Sequence, residues 1–327
     1  MRRFTKLSLR ALFVFVTLCC LAAGWVAMEM RRFREQATVL KGLELRLGSD
    51  FYRVRTIPAW PQWFWKPLVG EDAVEVEYAS LAKRWPPDAK AVGPTEEEAR
   101  IIAKWTKVKG LTLGGDGITD ELMASFRHMP DLTRVRLLDT SVTSRGIAQI
   151  RGLNHVTETK VELTQGWPTE GKDIGIRADA IEALASLPNL NDLTFDGYHL
   201  DEAAANALPK LKNVGKLMLV RGDLSDVDVA SIAQMPKLTN LIVYTNRRIS
   251  DASIDALGRL KNLTELRLQQ TGVTVEGLER LVQALPQFDP ALPVQDDLYV
   301  DEPLERELMK RRAARDRDES SPQQSEQ

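Results

Sequence analysis

LTRVRLLDTSV (residues 132–142) and LTELRLQQTGV (residues 263–273) are two copies of one pattern. An apolar residue is followed after two free positions by a second, after one more by a third, and five places on by a fourth. The alternation across the middle of the pattern reads as a short strand with one face buried. Working outward, the first three positions recur as Val108/Leu111/Leu113, Leu132/Val135/Leu137, Val156/Thr159/Val161 and Leu190/Leu193/Phe195. They continue as Val214/Leu217/Leu219, Leu238/Leu241/Val243 and Leu263/Leu266/Leu268. Successive first positions lie 24, 24, 34, 24, 24 and 25 residues apart, which chance does not produce.

Each of the first six strands is followed by a second apolar triplet at spacing three: Met123/Phe126/Met129, Ile147/Ile150/Leu153, Ile181/Leu184/Leu187, Ala205/Leu208/Leu211, Val229/Ile232/Met235 and Ile254/Leu257/Leu260. That spacing is helical. Thr119-Asp120, Ser225-Asp226 and Ser250-Asp251 stand where such a helix begins and are expected to accept hydrogen bonds from its unpaired N–H groups. Pro130, Pro188 and Pro236 stand where it stops. A unit of one strand and one helix cannot bury its apolar face alone, whereas a stack of such units can.

These residues resemble the leucine-rich repeat, whose strand signature is L-x-x-L-x-L-x-x-N/C-x-L. The resemblance covers residues 108–285 in seven copies. The family's Asn/Cys position is held here by Asp116, Thr140, Thr164, Tyr198, Gly222, Asn246 and Thr271, so hydroxyls are expected to take over much of that backbone bonding. The T-x-I/V-T/S-D form is similar to a subclass found in bacterial cell-envelope proteins and ubiquitin-ligase adaptors. The resemblance implies a curved α/β solenoid that binds other proteins on its concave sheet.

Residues 11–28 (ALFVFVTLCCLAAGWVAM) carry no charge. As a helix they would span about 27 Å, near the ~30 Å of a bilayer core. Arg10 and Arg31 bound the stretch, and Trp25 lies where an interfacial aromatic belongs. A single transmembrane anchor over residues 1–30 is the leading reading. A cleaved signal peptide, with Ala22-Ala23-Gly24 near a cut, and a buried core helix compete with it. Four Lys/Arg precede the segment and four follow it (Arg31, Arg32, Arg34, Lys41), so the free amino terminus tips the orientation toward an exported repeat domain. Cys19 and Cys20, the only cysteines, lie inside this stretch, and Leu18 is not the small residue a lipoprotein signal needs before its cysteine.

Around the array, residues 31–72 read as a linker and N-terminal cap. Trp60, Trp63, Phe64 and Trp65 are placed either over the open end of the solenoid or against the bilayer. Residues 73–285 form the solenoid. Its first repeat, 73–107, is degenerate, with a stretched linker from Lys83 to Gly93 and a helix begun by the Thr95/Glu98 capping box. The ten extra residues between the third and fourth strands fall in a polar loop near 165–175, a position where repeat proteins often touch partners. Residues 286–318 are a C-terminal cap and charged helix, with Asp289 to Pro293 sealing the far end, and 319–327 a disordered tail.

No catalytic set emerges. His128, His155 and His199 fall in separate repeats, and Gly114-Gly115-Asp116-Gly117 lacks the Lys-Ser/Thr of a phosphate loop. With 44 basic against 46 acidic residues there is no whole-chain field for nucleic acid. The reading is therefore non-catalytic, with no cofactor, no metal and no small-molecule substrate. The free strand positions form columns on the concave face, and most are polar. Met218, Val220, Ile242 and Tyr244 are the exception, expected as one exposed apolar patch for a protein partner, with Arg134, Arg136 and Arg267 on the same face. The rival readings are a soluble ubiquitin-ligase-type adaptor, a structural cell-envelope protein, and an enzyme using Asp192 and Asp196.

Overall fold

The computed structural model describes residues 9–48, 52–58, 62–69, 74–83, 91–162, 175–288 and 297–320. One helix, α1 (Leu9–Leu47), contains the charge-free stretch and continues unbroken past residue 30. After it come β1 (Tyr52–Pro58), α2 (Gln62–Val69), β2 (Val74–Leu81) and α3 (Glu96–Ile102). Strand and helix then alternate: β3 (Gly110–Gly114), α4 (Asp120–Ser125), β4 (Arg134–Leu138), α5 (Ser144–Ala148) and β5 (Glu158–Glu162). The series goes on with β6 (Gly175–Ile176), α6 (Ala178–Ala185), β7 (Asp192–Asp196), β8 (His199–Leu200), α7 (Glu202–Ala207), β9 (Lys216–Val220) and α8 (Asp226–Ile232). It ends with β10 (Asn240–Tyr244), α9 (Ile254–Leu257), β11 (Glu265–Gln269), α10 (Val275–Ala284), β12 (Asp297–Val300) and α11 (Glu302–Ser320).

Ten strands form one sheet in the order β1-β2-β3-β4-β5-β7-β9-β10-β11-β12, antiparallel only between β1 and β2. The register is strict. Leu111, Val135, Thr159, Leu193, Leu217, Leu241 and Leu266 lie side by side in one row. Two residues on, Leu113, Leu137, Val161, Phe195, Leu219, Val243 and Leu268 form another. Both rows are buried against the apolar triplets of the helices, so the spacing read from the sequence is the spacing of one continuous core. This is the leucine-rich repeat architecture: a solenoid with its sheet on one face and its short helices on the other.

Strands β3, β4, β7, β9, β10 and β11 are each ended by a left-handed residue. Gly115 and Gly197 take φ of 84° and 80°, and Asp139, Arg221, Thr245 and Gln270 take 50°, 53°, 56° and 52°. For the non-glycine residues that conformation costs roughly 1 kcal/mol each. A bond between units offsets it. The N–H of Gly115, Asp139, Gly197, Arg221 and Thr245 donates to the last strand carbonyl of the next unit: Leu138, Glu162, Val220, Tyr244 and Gln269. Gln270 has no such strand residue to reach, and the Asp301 carboxylate accepts from it instead at 3.0 Å.

Asn246, the one amide at the Asn/Cys position, is buried. Its Oδ1 accepts from the N–H of Gly222 (3.0 Å) and Leu224 (3.1 Å), and its Nδ2 donates to the carbonyls of Leu219 (3.0 Å) and Tyr244 (2.9 Å). Hydroxyls replace it only in part. Buried Tyr198 is hydrogen-bonded to Thr140, and burial pushes its phenol well above the usual range. Thr164 lies outside the described residues.

The hydroxyls meet the sequence expectation in part: Ser250 accepts from the N–H of Ala252 at 3.3 Å and Ser225 forms a capping box with Asp228, whereas Thr119 makes no cap bond. The aspartates do something else, each reaching forward to the cap residue of the next unit. Asp120 accepts from the N–H and Oγ1 of Thr143, both at 2.8 Å, and Asp251 accepts from Thr274 at 2.8 and 2.6 Å. Asp226 accepts from the N–H and Oγ of Ser250, each at 2.7 Å, and from Ser253 Oγ. Burial alone would raise the Asp226 carboxyl; these donors outweigh it and hold it below its ordinary value.

Room for this ladder is made by glycine. A Cβ on Gly277 would stand 2.2 Å from Asp251 Oδ1. Gly277→Ala should therefore destabilise the chain by about 1–3 kcal/mol, because displacing the aspartate outweighs the ~1 kcal/mol that alanine contributes to a helix. At exposed Gly42 on α1 the nearest atom is 3.9 Å away, so Gly42→Ala should stabilise by up to about 1 kcal/mol. Denaturant melts of the two variants should shift in opposite directions.

The ends are closed by elements the strand pattern does not announce. At the first end, Val39, Leu40, Leu43 and Leu47 of α1 are buried in the solenoid core with Val76, Leu81, Ile102 and Trp105. Arg46 clamps this helix to Glu98 (2.6 Å), whose carboxylate also completes the capping box with Thr95. Phe64 and Trp65 do not cover the solenoid; they pack on Phe33, Val26 and Met30 of α1. Trp60 lies outside the described residues. At the far end, β12 adds a parallel strand beside β11, and α11 buries Leu308. The stretch Asp289 to Pro293, most of the 165–175 insertion and most of the tail from 319 lie outside the described residues.

Candidate functional site

Residues that alternate with the core rows face outward on the sheet in three columns. One runs Gly110, Arg134, Glu158, Asp192, Lys216, Asn240, Glu265. The next runs Thr112, Arg136, Lys160, Thr194, Met218, Ile242, Arg267 and, on β12, Tyr299. The third runs Gly114, Leu138, Glu162, Asp196, Val220, Tyr244, Gln269. A strict parallel register fixes these neighbours, because a slip of one residue would send the leucines to solvent.

Met218 pairs with Ile242, and Val220 with Tyr244, so β9 and β10 bring the four apolar residues together. Their exposure departs from expectation. Ile242 is only 7% exposed, flanked in register by Met218 and Arg267, and Met218, Val220 and Tyr244 are half-buried. The patch is thus a recessed floor with a half-open rim, rather than a fully exposed surface. At its edge Arg267 stacks 4.1 Å from the Tyr299 ring and pairs with Glu265 at 2.5 Å. Burial pushes the Glu265 carboxyl up, but hydrogen bonds from Asn240 and Arg267 prevail and leave it lowered.

Arg134 and Arg136 lie apart from this patch, near the first end of the sheet. Arg136 pairs with Glu162 at 2.9 Å. Arg134 stands 5.3 Å from the Tyr78 ring, beside a shallow depression of about 310 Å³. Gly110 forms part of that depression because a Cβ there would meet Tyr78 Cδ1 at 2.8 Å. The seven residues therefore share a face but form two groups.

Asp192 and Asp196 do not make a carboxylate pair. They are four residues apart on β7, about 13 Å along the strand. Asp196 is ion-paired with Arg221 at 2.6 Å. Burial raises the Asp192 carboxyl, against the pull of Lys160 and Lys216. Among the described residues no three His, Cys, Asp or Glu side chains converge as a metal site would require. The run from Gly114 to Gly117 is structural: a Cβ on Gly117 would stand 2.4 Å from the Pro94 carbonyl. The three histidines are exposed.

In α1, the residues from Phe13 to Met28 form a largely exposed apolar surface, met among the described residues only near its end, where Trp65 packs on Trp25 and Val26. Phe13 is 75% exposed, Phe15 62% and Leu21 66%, and none of the apolar window of this helix is buried. That excludes the core-helix reading. By length and composition the helix could cross a membrane or serve as a signal sequence.

No protein-family model matches the chain, and no curated protein does. Among solved structures it is similar to internalin C2 of Listeria monocytogenes, at 20% identity over 64% of this chain and 84% of that one, with a TM-score of 0.35. A second internalin of the same organism matches at 18% identity over 61% and 62% of the two chains, with a TM-score of 0.32. The fold stands on the register and repeat spacing described above.

Proposed function

We propose that this chain is a membrane-tethered interaction module, held by α1 and binding a protein partner on its concave sheet without catalysis. The observation that carries the reading is the β9–β10 register, which gathers Met218, Val220, Ile242 and Tyr244 into one apolar floor on a face that is otherwise mostly polar. Recessed apolar surface with a tyrosine at its rim is the form that energetically dominant contacts take in protein interfaces. Arg267 on one side, and Arg134 and Arg136 toward the first end, would orient the partner by charge. The exposed apolar length of α1 supports the tether; the flanking Lys/Arg are equal in number, and the amino terminus alone tips the orientation toward a repeat domain outside the cytoplasm. A soluble adaptor fits less well, since α1, β1 and β2 are spent on closing the solenoid's first end.

Photo-crosslinking tests this. A photoreactive residue at Tyr244 or Met218 should give a discrete protein adduct in cells, whereas one at Val227, 70% exposed on α8, should give none. Equal labelling at all three positions, or none, would contradict a concave binding site and leave a structural role. Tyr244→Ala should weaken the adduct formed from Met218 by about tenfold or more while leaving the melting transition nearly unchanged. Loss of the fold in that variant would count against the site.

A further inference from the structure

We propose that a cleft between α1 and α3 binds the headgroup of an anionic phospholipid, a site that rests on the tether reading given above. The cleft holds about 480 Å³ and is lined by Ala27, Met30, Arg31, Arg34, Thr38 and Ile101, among others. Its position along α1 sets its depth. The charge-free stretch ends at Met28, and at 1.5 Å per residue Arg31 and Arg34 lie about 4 and 9 Å beyond it. A headgroup layer is about 5–8 Å thick on each side of the hydrocarbon. Ala27 and Met30 thus meet the upper acyl chains while the arginines stand at phosphate level.

The aromatic cluster agrees with that depth. Trp65 of α2 reaches back to Trp25, with ring centroids 5.6 Å apart, and packs edge-on against Phe33 at 5.4 Å. Trp25 itself is 52% exposed, as a ring at a bilayer boundary would be. Helix α2 and the cleft therefore lie at the same level of α1.

Charge selects the ligand. Arg31 pairs with Glu35 at 2.8 Å, and Lys104 reaches the same carboxylate at 3.4 Å. Arg34 makes no ion pair among the described residues and is exposed. Glu35 of the lining is thus shared by Arg31 and Lys104 while Arg34 stands beside it without an ion pair, and the excess positive charge sits where a phosphodiester would arrive. A zwitterionic headgroup would bring its own cation into the same space, so phosphatidylglycerol is favoured over phosphatidylcholine. Two guanidiniums also suit bidentate contact with phosphate oxygens.

The test uses the full chain reconstituted in vesicles of equal phosphatidylglycerol and phosphatidylcholine. Flotation reports insertion, and the lipid retained per protein after detergent exchange reports selectivity. The expected result is flotation with phosphatidylglycerol enriched about fivefold or more, falling to near parity in Arg31→Gln/Arg34→Gln. Arg145→Gln, on the solenoid, should leave the enrichment unchanged. An inserted protein that retains both lipids equally would overturn the site while sparing the tether. A protein that does not float would overturn both. Enrichment abolished by competing glycerol phosphate would mean a soluble anion site and would also overturn the proposal.

Discussion

A chain begun at residue 49 is expected to lose most of its folding stability, whereas one begun at residue 31 should melt close to the full-length protein. The two deletions differ by the stretch of α1 that holds Val39, Leu40, Leu43 and Leu47, all buried at the first end of the solenoid. Full burial of each such side chain contributes about 1.5–3 kcal/mol, and the denatured reference trims that sum. A loss on the order of 5 kcal/mol remains, comparable to the whole stability of an ordinary domain. The longer deletion would also leave an open core, so aggregation should accompany unfolding. Denaturant titration of both chains checks this. Equal midpoints would mean that α1 is only an anchor and closes nothing.

The second large effect is at Asn246. Asn246→Ala removes the acceptor of two buried N–H groups, on Gly222 and Leu224, and a donor from the carbonyls of Leu219 and Tyr244, of which Tyr244 keeps the Arg221 N–H. Each N–H left without a hydrogen bond costs about 1–3 kcal/mol, so a loss of about 2–5 kcal/mol is expected. Thr271→Ala, at the same position in the next unit but half-buried, should cost less than about 1 kcal/mol. Hydrogen exchange should place the Asn246→Ala damage at Gly222 and Leu224. A change confined to the unit bearing residue 246 would contradict the shared role of this amide.

How far the sequence carried the structure depends on the distance between cause and effect. The apolar rows were legible because each leucine's fate is set within its own unit of strand and helix. The closing role of α1 was readable in principle, since Leu40, Leu43 and Leu47 keep helical spacing, but the arginines at 31–34 drew the boundary forward. Strand β12 left the same kind of weak mark in Leu298 and Val300, without a full repeat around it. The forward reach of Asp120, Asp226 and Asp251 was not legible, because the hydroxyl each one meets is about 24 residues away in the chain. The left-handed turns were hidden as well, since Asp139, Arg221, Thr245 and Gln270 give no glycine to mark them. On the outward face of the sheet the register was predictable from spacing, and the four apolar residues do meet. Their exposure was not, because neighbours across strands, rather than local pattern, decide that Ile242 is buried.

The central claim is that α1 stays with the protein and holds a folded solenoid at a membrane. Protease accessibility on intact cells, with a C-terminal tag and a parallel blot for size, tests it most directly. The account predicts an uncleaved chain in the membrane fraction whose tag is removed by protease added from outside. A shortened, soluble form would make residues 1–24 a signal peptide and contradict the tether, and a full-length chain protected inside the cell would contradict the exported orientation.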